Sequence, residues 1–214
     1  MFDKNYLWLT LGLGLIVALF VLVIILKLRK KKYDVGKITL SDIDKMTGHE
    51  FEDYLYVLIK SLGYDEVYLT KKSRDYGADL LFRDRDQQLT VVQAKRLSEK
   101  LGLEAVQQIY TAQAYYLADK ALIITSAEHR SDPCRKLASA TKVRIVNRDE
   151  LKELITLFKR GRVNQGQDLI EEPFDLVDFQ AEDSIEQLEV KRGIVQAGDY
   201  FYRTSQRRRK VGGE

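Results

Sequence analysis

The stretch RDYGADLLFRDRDQQLTVVQAKR, residues 74–96, contains an apolar strand that ends in polar side chains. Leu89 to Ala94 is predicted to be this strand, and Gln93 and Lys95 stand two residues apart at its end. Because side chains alternate across a strand, both point to the same face. A half-buried lysine costs free energy unless it has a partner or a task. The stretch therefore predicts a β-hairpin that carries a polar cluster on one face.

An acidic residue, Asp79, opens the preceding arm of this hairpin. If the chain turns near Asp86, Asp79 falls opposite Gln93, and a carboxylate, an amide oxygen and the ammonium of Lys95 come together. Mg²⁺ prefers oxygen ligands, usually one or two carboxylates completed by water and phosphate oxygens. A lysine beside such a cation can orient a water and stabilise charge on an attacked phosphate. The cluster therefore suits phosphodiester hydrolysis.

Helices and strands are predicted on both sides of the hairpin. Thr47 and Glu50 form a capping box at the start of an amphipathic helix that ends at Gly63. The element order is α-β-β-β-α-β-α-β-α, which indicates an α/β domain with a mixed sheet. The later segments are a strand at Glu66–Thr70, hairpin arms at 77–82 and 88–95, a helix at Gly102–Ala118, a strand at Lys120–Ser126, a helix at Asp132–Ala140, a strand at 142–146 and a helix at 148–160.

The segment from Met46 to Leu151 resembles the Mrr-type restriction endonuclease domain of the PD-(D/E)xK nuclease superfamily. The matching pieces are TGHEFEDYLYVLIKSLGY, RDYGADLL, VVQAKR, AVQQIYTAQAYY, ALIITS and VRIVNRDEL, in the expected order. RDYGADLL departs from the pattern, since many members have a second small residue before the aspartate.

The resemblance implies an αβββαβ core and DNA cleavage that depends on Mg²⁺, with Mn²⁺ as a substitute. It implies that Asp79 and Gln93 are catalytic metal ligands and that Lys95 is the catalytic lysine. It adds Glu52, on the first helix, as a further catalytic acid and metal ligand. The predicted substrate is double-stranded DNA, and a homodimer is left open because nucleases that cut both strands often dimerise.

Cations on both sides of the hairpin are candidates for DNA contacts, because lysine and arginine neutralise phosphates. These candidates are Lys71, Lys72, Arg74 and Arg96. Their alternative role is ordinary solubilising charge. Gln107, on the following helix, either reaches the site or faces water. Asp75 is predicted to shape the turn with Gly77, and a role as a substitute acid is left open.

A second kind of segment stands at the N-terminus. Residues Tyr6–Leu26 carry no charge and are long enough to cross a hydrocarbon core of roughly 30 Å as a helix. The run Lys27–Lys32 follows directly and would lie beside anionic lipid. By the positive-inside rule, the chain is predicted to be a single-pass protein of the cell membrane, with the N-terminus outside and everything after Lys32 in the cytoplasm.

These assignments divide the chain into an anchor with its basic flank at 1–32, a connector at 33–45, an endonuclease domain at 46–162 and a polar, flexible tail at 163–214. Within the tail, the pattern of the segment VKRGIVQAGDYFYR leaves undecided whether it forms a pair of β-strands. The single cysteine, Cys134, excludes an internal disulfide, and with His49 and His129 it makes a poor zinc set.

The predicted function is a membrane-tethered, metal-dependent DNA endonuclease that acts in restriction of foreign or modified DNA. Two alternatives stay open at this point. The first is a membrane-anchored nucleic-acid-binding or scaffold protein that keeps the fold without cleaving DNA. The second is a DNA repair or recombination nuclease that uses the same site.

Overall fold

The computed structural model describes residues 14–23, 34–71, 76–180, 185, 190–191 and 194–203. The chain divides into two units, Met1–Asp175 and Leu176–Glu214. Of the predicted residues, Lys72, Arg74 and Asp75 lie outside the described ranges.

The first unit follows the predicted order of helices and strands, and the prediction of an α/β fold with a mixed sheet is confirmed. Its elements are α1 (residues 14–23), a 3₁₀ turn (Val35–Lys37), α2 (Leu40–Ile43), α3 (Gly48–Ser61), β1 (Val67–Leu69), β2 (Leu80–Arg83), β3 (Leu89–Lys95), α4 (Leu103–Tyr116), β4 (Lys120–Thr125), α5 (Asp132–Thr141), β5 (Val143–Val146), α6 (Arg148–Lys159) and α7 (Val163–Glu171).

The five strands form one sheet in the order β1-β2-β3-β4-β5. The β1–β2 and β2–β3 pairs are antiparallel, whereas the β3–β4 and β4–β5 pairs are parallel. The turn of the central hairpin is held by Asp84, which is 2% exposed. Its carboxylate accepts hydrogen bonds from the backbone N–H groups of Asp86 at 3.0 Å and Gln88 at 2.8 Å, and from Lys120 Nζ at 2.7 Å. This turn sets the register of the two arms, with Leu80 opposite Val92.

Each face of the sheet is covered by its own hydrophobic cluster. Leu80 and Val92 pack with the buried residues of α3, whose predicted capping box of Thr47 and Glu50 is present. Val91 packs on the other face with the buried residues of α4 and α5. Gln93 has the same strand parity as Val91, so its side chain points toward α4.

The domain continues beyond residue 162, where the sequence predicted a flexible tail. Helix α7 buries Leu169 and Ile170. Gln167 Nε2 donates to the carbonyl of Leu62 at 2.8 Å, and the hydroxyl of Tyr64 donates to Glu171 at 2.9 Å. Because the partners of α7 lie about a hundred residues earlier in the chain, the polar composition of this segment does not reveal its packing.

Arg144 on β5 extends the same attachment to the end of the first unit. Its side chain is 7% exposed, and its Nη2 lies 2.6 Å from Glu150 and 3.0 Å from Glu172. Asp175 lies 3.6 Å from Nη1. Glu172 and Asp175 follow α7 and are more than half exposed, so these ion pairs connect the segment after α7 to β5 at the surface.

The second unit contains β6 (Val190–Lys191), β7 (Ile194–Ala197) and β8 (Tyr200–Arg203). They form an antiparallel sheet in the order β6-β7-β8, with Ala197 opposite Tyr200 across the turn. The stretch in which the sequence left a strand pair open is therefore a three-stranded sheet.

The predicted membrane span, Tyr6–Leu26, is described only at residues 14–23, which are helical. Among the helices in the described ranges, none has the length and apolar character needed to cross a membrane. The two ends of the predicted span and the basic flank Lys27–Lys32 lie outside those ranges. The anchor therefore finds no support in the structure and stays a prediction.

Candidate active site

A pocket of about 510 Å³ lies where the central hairpin meets α4. It contains all three residues that the sequence placed together on the hairpin. The described residues that line it are Tyr76, Gly77, Asp79, Gln93, Lys95, Gln107, Gln108 and Thr111.

Asp79 stands directly before β2 and faces the end of β3. Its backbone N–H donates to the carbonyl of Val92 at 2.8 Å, and extending the β2–β3 register by one residue places Asp79 opposite Gln93. One carboxylate oxygen, Oδ2, accepts a hydrogen bond from the backbone N–H of Ala94 at 2.7 Å. The carboxylate is therefore held against β3 at the position that the hairpin register predicts.

Gln93 places an amide group at the base of the pocket. The residue is 3% exposed, and its Nε2 donates to Gln108 Oε1 at 2.8 Å. Its Oε1 is buried and accepts no hydrogen bond within the part of the chain that the structure describes. A buried oxygen without a hydrogen-bond partner costs about 1–3 kcal/mol. This oxygen therefore marks a position for a bound cation or for a hydrogen-bond donor.

The donors of the pocket fit a hard divalent cation. The carboxylate of Asp79 and the amide oxygen of Gln93 are the ligand types that Mg²⁺ takes, usually with several waters retained. Among the described residues, His, Cys, Asp and Glu form no group of three or more that could hold a metal. A cation here would therefore depend on one carboxylate together with neutral oxygens.

Lys95 is the one cationic side chain among the described residues that line the pocket. Its Nζ donates to Gln108 Oε1 at 3.0 Å, so the Gln108 oxygen accepts from Lys95 and Gln93 together. Because one oxygen accepts both hydrogen bonds, it orients both side chains. The amide nitrogen of Gln93 faces Gln108, so the Gln93 oxygen points away from it. Lys95 is thus held beside the two candidate ligands.

Gln108 was not singled out from the sequence, although Gln107 was considered. Both line the pocket, together with Thr111 one turn further along α4. In the sequence, Gln107 and Gln108 are recognisable only as polar residues next to the buried positions Ala105 and Ile109 of an amphipathic helix. That pattern locates the polar edge of the helix but does not show that it faces β3.

The structure does not bring Glu52 together with this group. Its carboxylate lies 3.1 and 3.2 Å from Nδ1 of His49, one turn earlier on α3, and the described lining residues do not include it. The physical reason is that α3 covers the face of the sheet opposite to α4. A metal-binding role for Glu52 stays a prediction.

Two of the predicted DNA-binding cations lie in the described ranges. Lys71 is exposed just after β1. Arg96 is half-buried, and its Nη1 donates to the carbonyl of Asp44 at 3.4 Å, so it points to the end of α2. Lys72 and Arg74 lie outside the described ranges, and DNA binding by the four cations stays a prediction.

Two solved structures are similar to part of this chain. One is the DNA modification-dependent restriction endonuclease AspBHI, with 14% identity and a TM-score of 0.44 over 65% of this chain and 40% of that chain. The other is the MspJI restriction endonuclease in complex with a 27-mer oligonucleotide, with 17% identity and a TM-score of 0.43 over 65% of this chain and 35% of that chain. This chain thus spans well under half of the length of either.

The part of the chain that matches a known family includes the residues that line the pocket. No curated protein matches the chain. A family described as restriction endonuclease matches residues 43–155, which is more than half of the chain and includes Asp79, Gln93 and Lys95. The match confirms the resemblance found in the segment from Met46 to Leu151. The chain belongs to the restriction endonuclease family.

Proposed function

We propose that this protein is a divalent-metal-dependent endonuclease that hydrolyses phosphodiester bonds in double-stranded DNA and acts in restriction of foreign or modified DNA. The observation that carries the proposal is the pocket in which Asp79, Gln93 and Lys95 converge, with the Gln93 oxygen buried and unbonded within the described part of the chain. Membership of the restriction endonuclease family supports the same class of reaction.

In this mechanism, Asp79 and Gln93 would hold a Mg²⁺ ion, for which Mn²⁺ can substitute. Such an ion would supply positive charge at the scissile phosphate and make the attacking water more acidic. Lys95 presents its ammonium to the phosphate and stabilises the negative charge that grows as water adds to phosphorus and the bond to the leaving oxygen breaks. Gln108 keeps Lys95 and Gln93 oriented through its shared oxygen.

The test is cleavage of supercoiled plasmid by the full chain. Methylated and unmethylated plasmids are incubated with Mg²⁺, with Mn²⁺ or with EDTA, and nicked and linear products are measured on gels. We expect products with either metal and none in EDTA, because one carboxylate and neutral oxygens cannot replace the charge of the ion. Adding excess Mg²⁺ to the EDTA sample is expected to restore cutting. Faster cutting of the methylated plasmid would support restriction of modified DNA.

A different result would favour another function. Binding of plasmid without cutting under every metal condition would contradict the nuclease proposal and indicate a DNA-binding protein that keeps the fold. Cutting that is as fast in EDTA as in Mg²⁺ would contradict the metal site at Asp79 and Gln93.

We also propose that the enzyme is tethered to the cell membrane, with its nuclease domain in the cytoplasm. The uncharged run Tyr6–Leu26 followed by the cations of Lys27–Lys32 supports this proposal. After cell fractionation, the full chain is expected in the membrane pellet and to stay there in an alkaline carbonate wash, whereas a chain beginning at Tyr33 is expected in the supernatant. Recovery of both chains in the supernatant would contradict the tether.

A further inference from the structure

Two tyrosines stack on each other at the wall of the candidate active site. The rings of Tyr76 and Tyr115 have centroids 3.9 Å apart and planes 22° apart. Tyr76 lines the pocket that holds Asp79 and Lys95. Tyr115 follows the pocket residues Gln108 and Thr111 on α4 at helical spacing, so it stands on the same edge of that helix.

The tyrosine pair does not serve the hydrophobic core. Tyr76 is 48% exposed and Tyr115 is 55% exposed, and the two hydrophobic clusters formed by the described residues include neither. Tyr116 does pack against the cluster on the α4 side, and its ring meets Tyr115 edge-on at 5.0 Å. Aromatic surface is thus kept in contact with solvent next to a polar pocket.

The backbone holds Tyr76 in a conformation that a bulky side chain rarely adopts. Its φ is +49°, in the left-handed region, and the next residue, Gly77, has a φ of +92°. A Cβ at Gly77 would lie 2.7 Å from the backbone oxygen of Gln108, so the loop rests directly on the α4 backbone. Strained backbone persists where the surroundings impose it, and such positions cluster at functional sites. Tyr76 therefore stands directly beside Gln108, the residue that orients Lys95.

The close approach of the two rings also affects the ionisation of Tyr115. A hydrogen bond with Tyr76 raises the pKa of Tyr115 above its ordinary value. An exposed aromatic pair beside a cationic side chain, here Lys95, is the combination by which proteins hold the bases of single-stranded nucleic acid.

We propose that Tyr76 and Tyr115 form a stacking platform for an unpaired nucleobase of the DNA strand whose phosphate enters the pocket. This inference rests on the proposed nuclease function and adds a substrate class to it, namely DNA that has an unpaired nucleotide next to the scissile bond. In fully paired duplex the bases are buried in their own stack and do not reach the platform.

The test measures binding of the full chain in EDTA, where no metal-dependent cutting occurs. The probes are a single-stranded DNA 20-mer with 2-aminopurine at its centre and the same strand in a fully paired duplex. Stacking on tyrosine is expected to quench the 2-aminopurine fluorescence of the single strand. Tyr76→Ala and Tyr115→Ala are each expected to weaken single-strand binding by about 5- to 150-fold, the range for loss of one base–aromatic contact, and to change duplex binding by less than about twofold.

Tyr110→Ala is the matched control, because Tyr110 is also a tyrosine of α4 and is 51% exposed, but it lines a different cavity. It is expected to leave both affinities unchanged, and Tyr76→Phe is expected to keep most of the quenching. Since Tyr115 lies on the helix surface, its alanine variant is expected to fold even if Tyr76→Ala does not.

The outcomes separate this inference from the proposed function. Equal quenching and equal single-strand affinity in Tyr115→Ala and Tyr110→Ala would overturn the stacking platform, even if the plasmid is cut. Quenching that depends on Tyr76 and Tyr115 in a chain that never cuts plasmid would support the platform and contradict the nuclease proposal.

Discussion

Replacing Lys95 with alanine is expected to lower the rate of metal-dependent plasmid cleavage by about 10²- to 10³-fold, the usual loss when one group that stabilises transition-state charge is removed. Lys95 is the only cation among the described residues that line the pocket, so none of those residues replaces its charge. Binding to duplex DNA is expected to weaken little, with the slope of log affinity against log salt reduced by about 1.

The size of this effect is judged against two other variants. Lys152→Ala removes an exposed lysine of α6 and is expected to cut DNA like the unaltered chain. Gln108→Ala keeps Lys95 but removes the oxygen that orients it, so a smaller loss of about 10- to 100-fold is expected, as for other residues that position metal ligands. Cleavage by Lys95→Ala within a few-fold of Lys152→Ala would show that the catalytic centre lies elsewhere.

Replacing Gly77 with alanine is expected to destabilise the fold by about 2–5 kcal/mol, as the sum of a left-handed backbone conformation and an overpacked contact. The φ of Gly77 is +92°, and the new Cβ would lie 2.7 Å from the backbone oxygen of Gln108. A helix backbone cannot yield as a flexible side chain can. The loop is therefore expected to move away from α4, and a misplacement of about 1 Å at the pocket is expected to reduce cleavage by about 10²-fold.

Gly161 supplies the control that separates these two causes. Its φ is +67°, but a Cβ there meets nothing within 4 Å. Gly161→Ala is therefore expected to cost only about 1–2 kcal/mol, from backbone conformation alone, and to leave cleavage unchanged. Unfolding in urea, followed by circular dichroism, gives both free energies. If the two variants unfold at the same urea concentration, the Gly77 contact with α4 does not carry the expected energy.

Most of the fold was predictable because its signals are local. The apolar run of Leu89–Lys95 with its polar end, the turn around Asp84 and the capping box at Thr47 each depend on a few consecutive residues. Helix α7 was not predictable in this way. Its attachments at Leu62 and Tyr64 lie far away in sequence, and a polar composition was therefore taken for a tail.

The candidate site shows the same division. A hairpin register follows from its turn, so the sequence alone could place Asp79 opposite Gln93 and put Lys95 on the same face. Glu52 was assigned by resemblance, and the structure places its carboxylate at His49 on the helix that covers the other face of the sheet. Which face a helix covers depends on how the chain crosses over the sheet, which local patterns do not specify.

By itself, the sequence determined the order of the elements, the hairpin, and the placement of Asp79, Gln93 and Lys95, because side-chain period and turn chemistry act between neighbours in the chain. Only the tertiary structure decided how α4 docks on the sheet. In that position, the side-chain oxygen of Gln108 accepts hydrogen bonds from both Gln93 and Lys95. The same docking brings Gly77 against the α4 backbone and stacks Tyr76 on Tyr115. Successive residues of a helix are rotated by about 100° around its axis. Which side chains face the strand therefore depends on how the whole helix packs against the sheet.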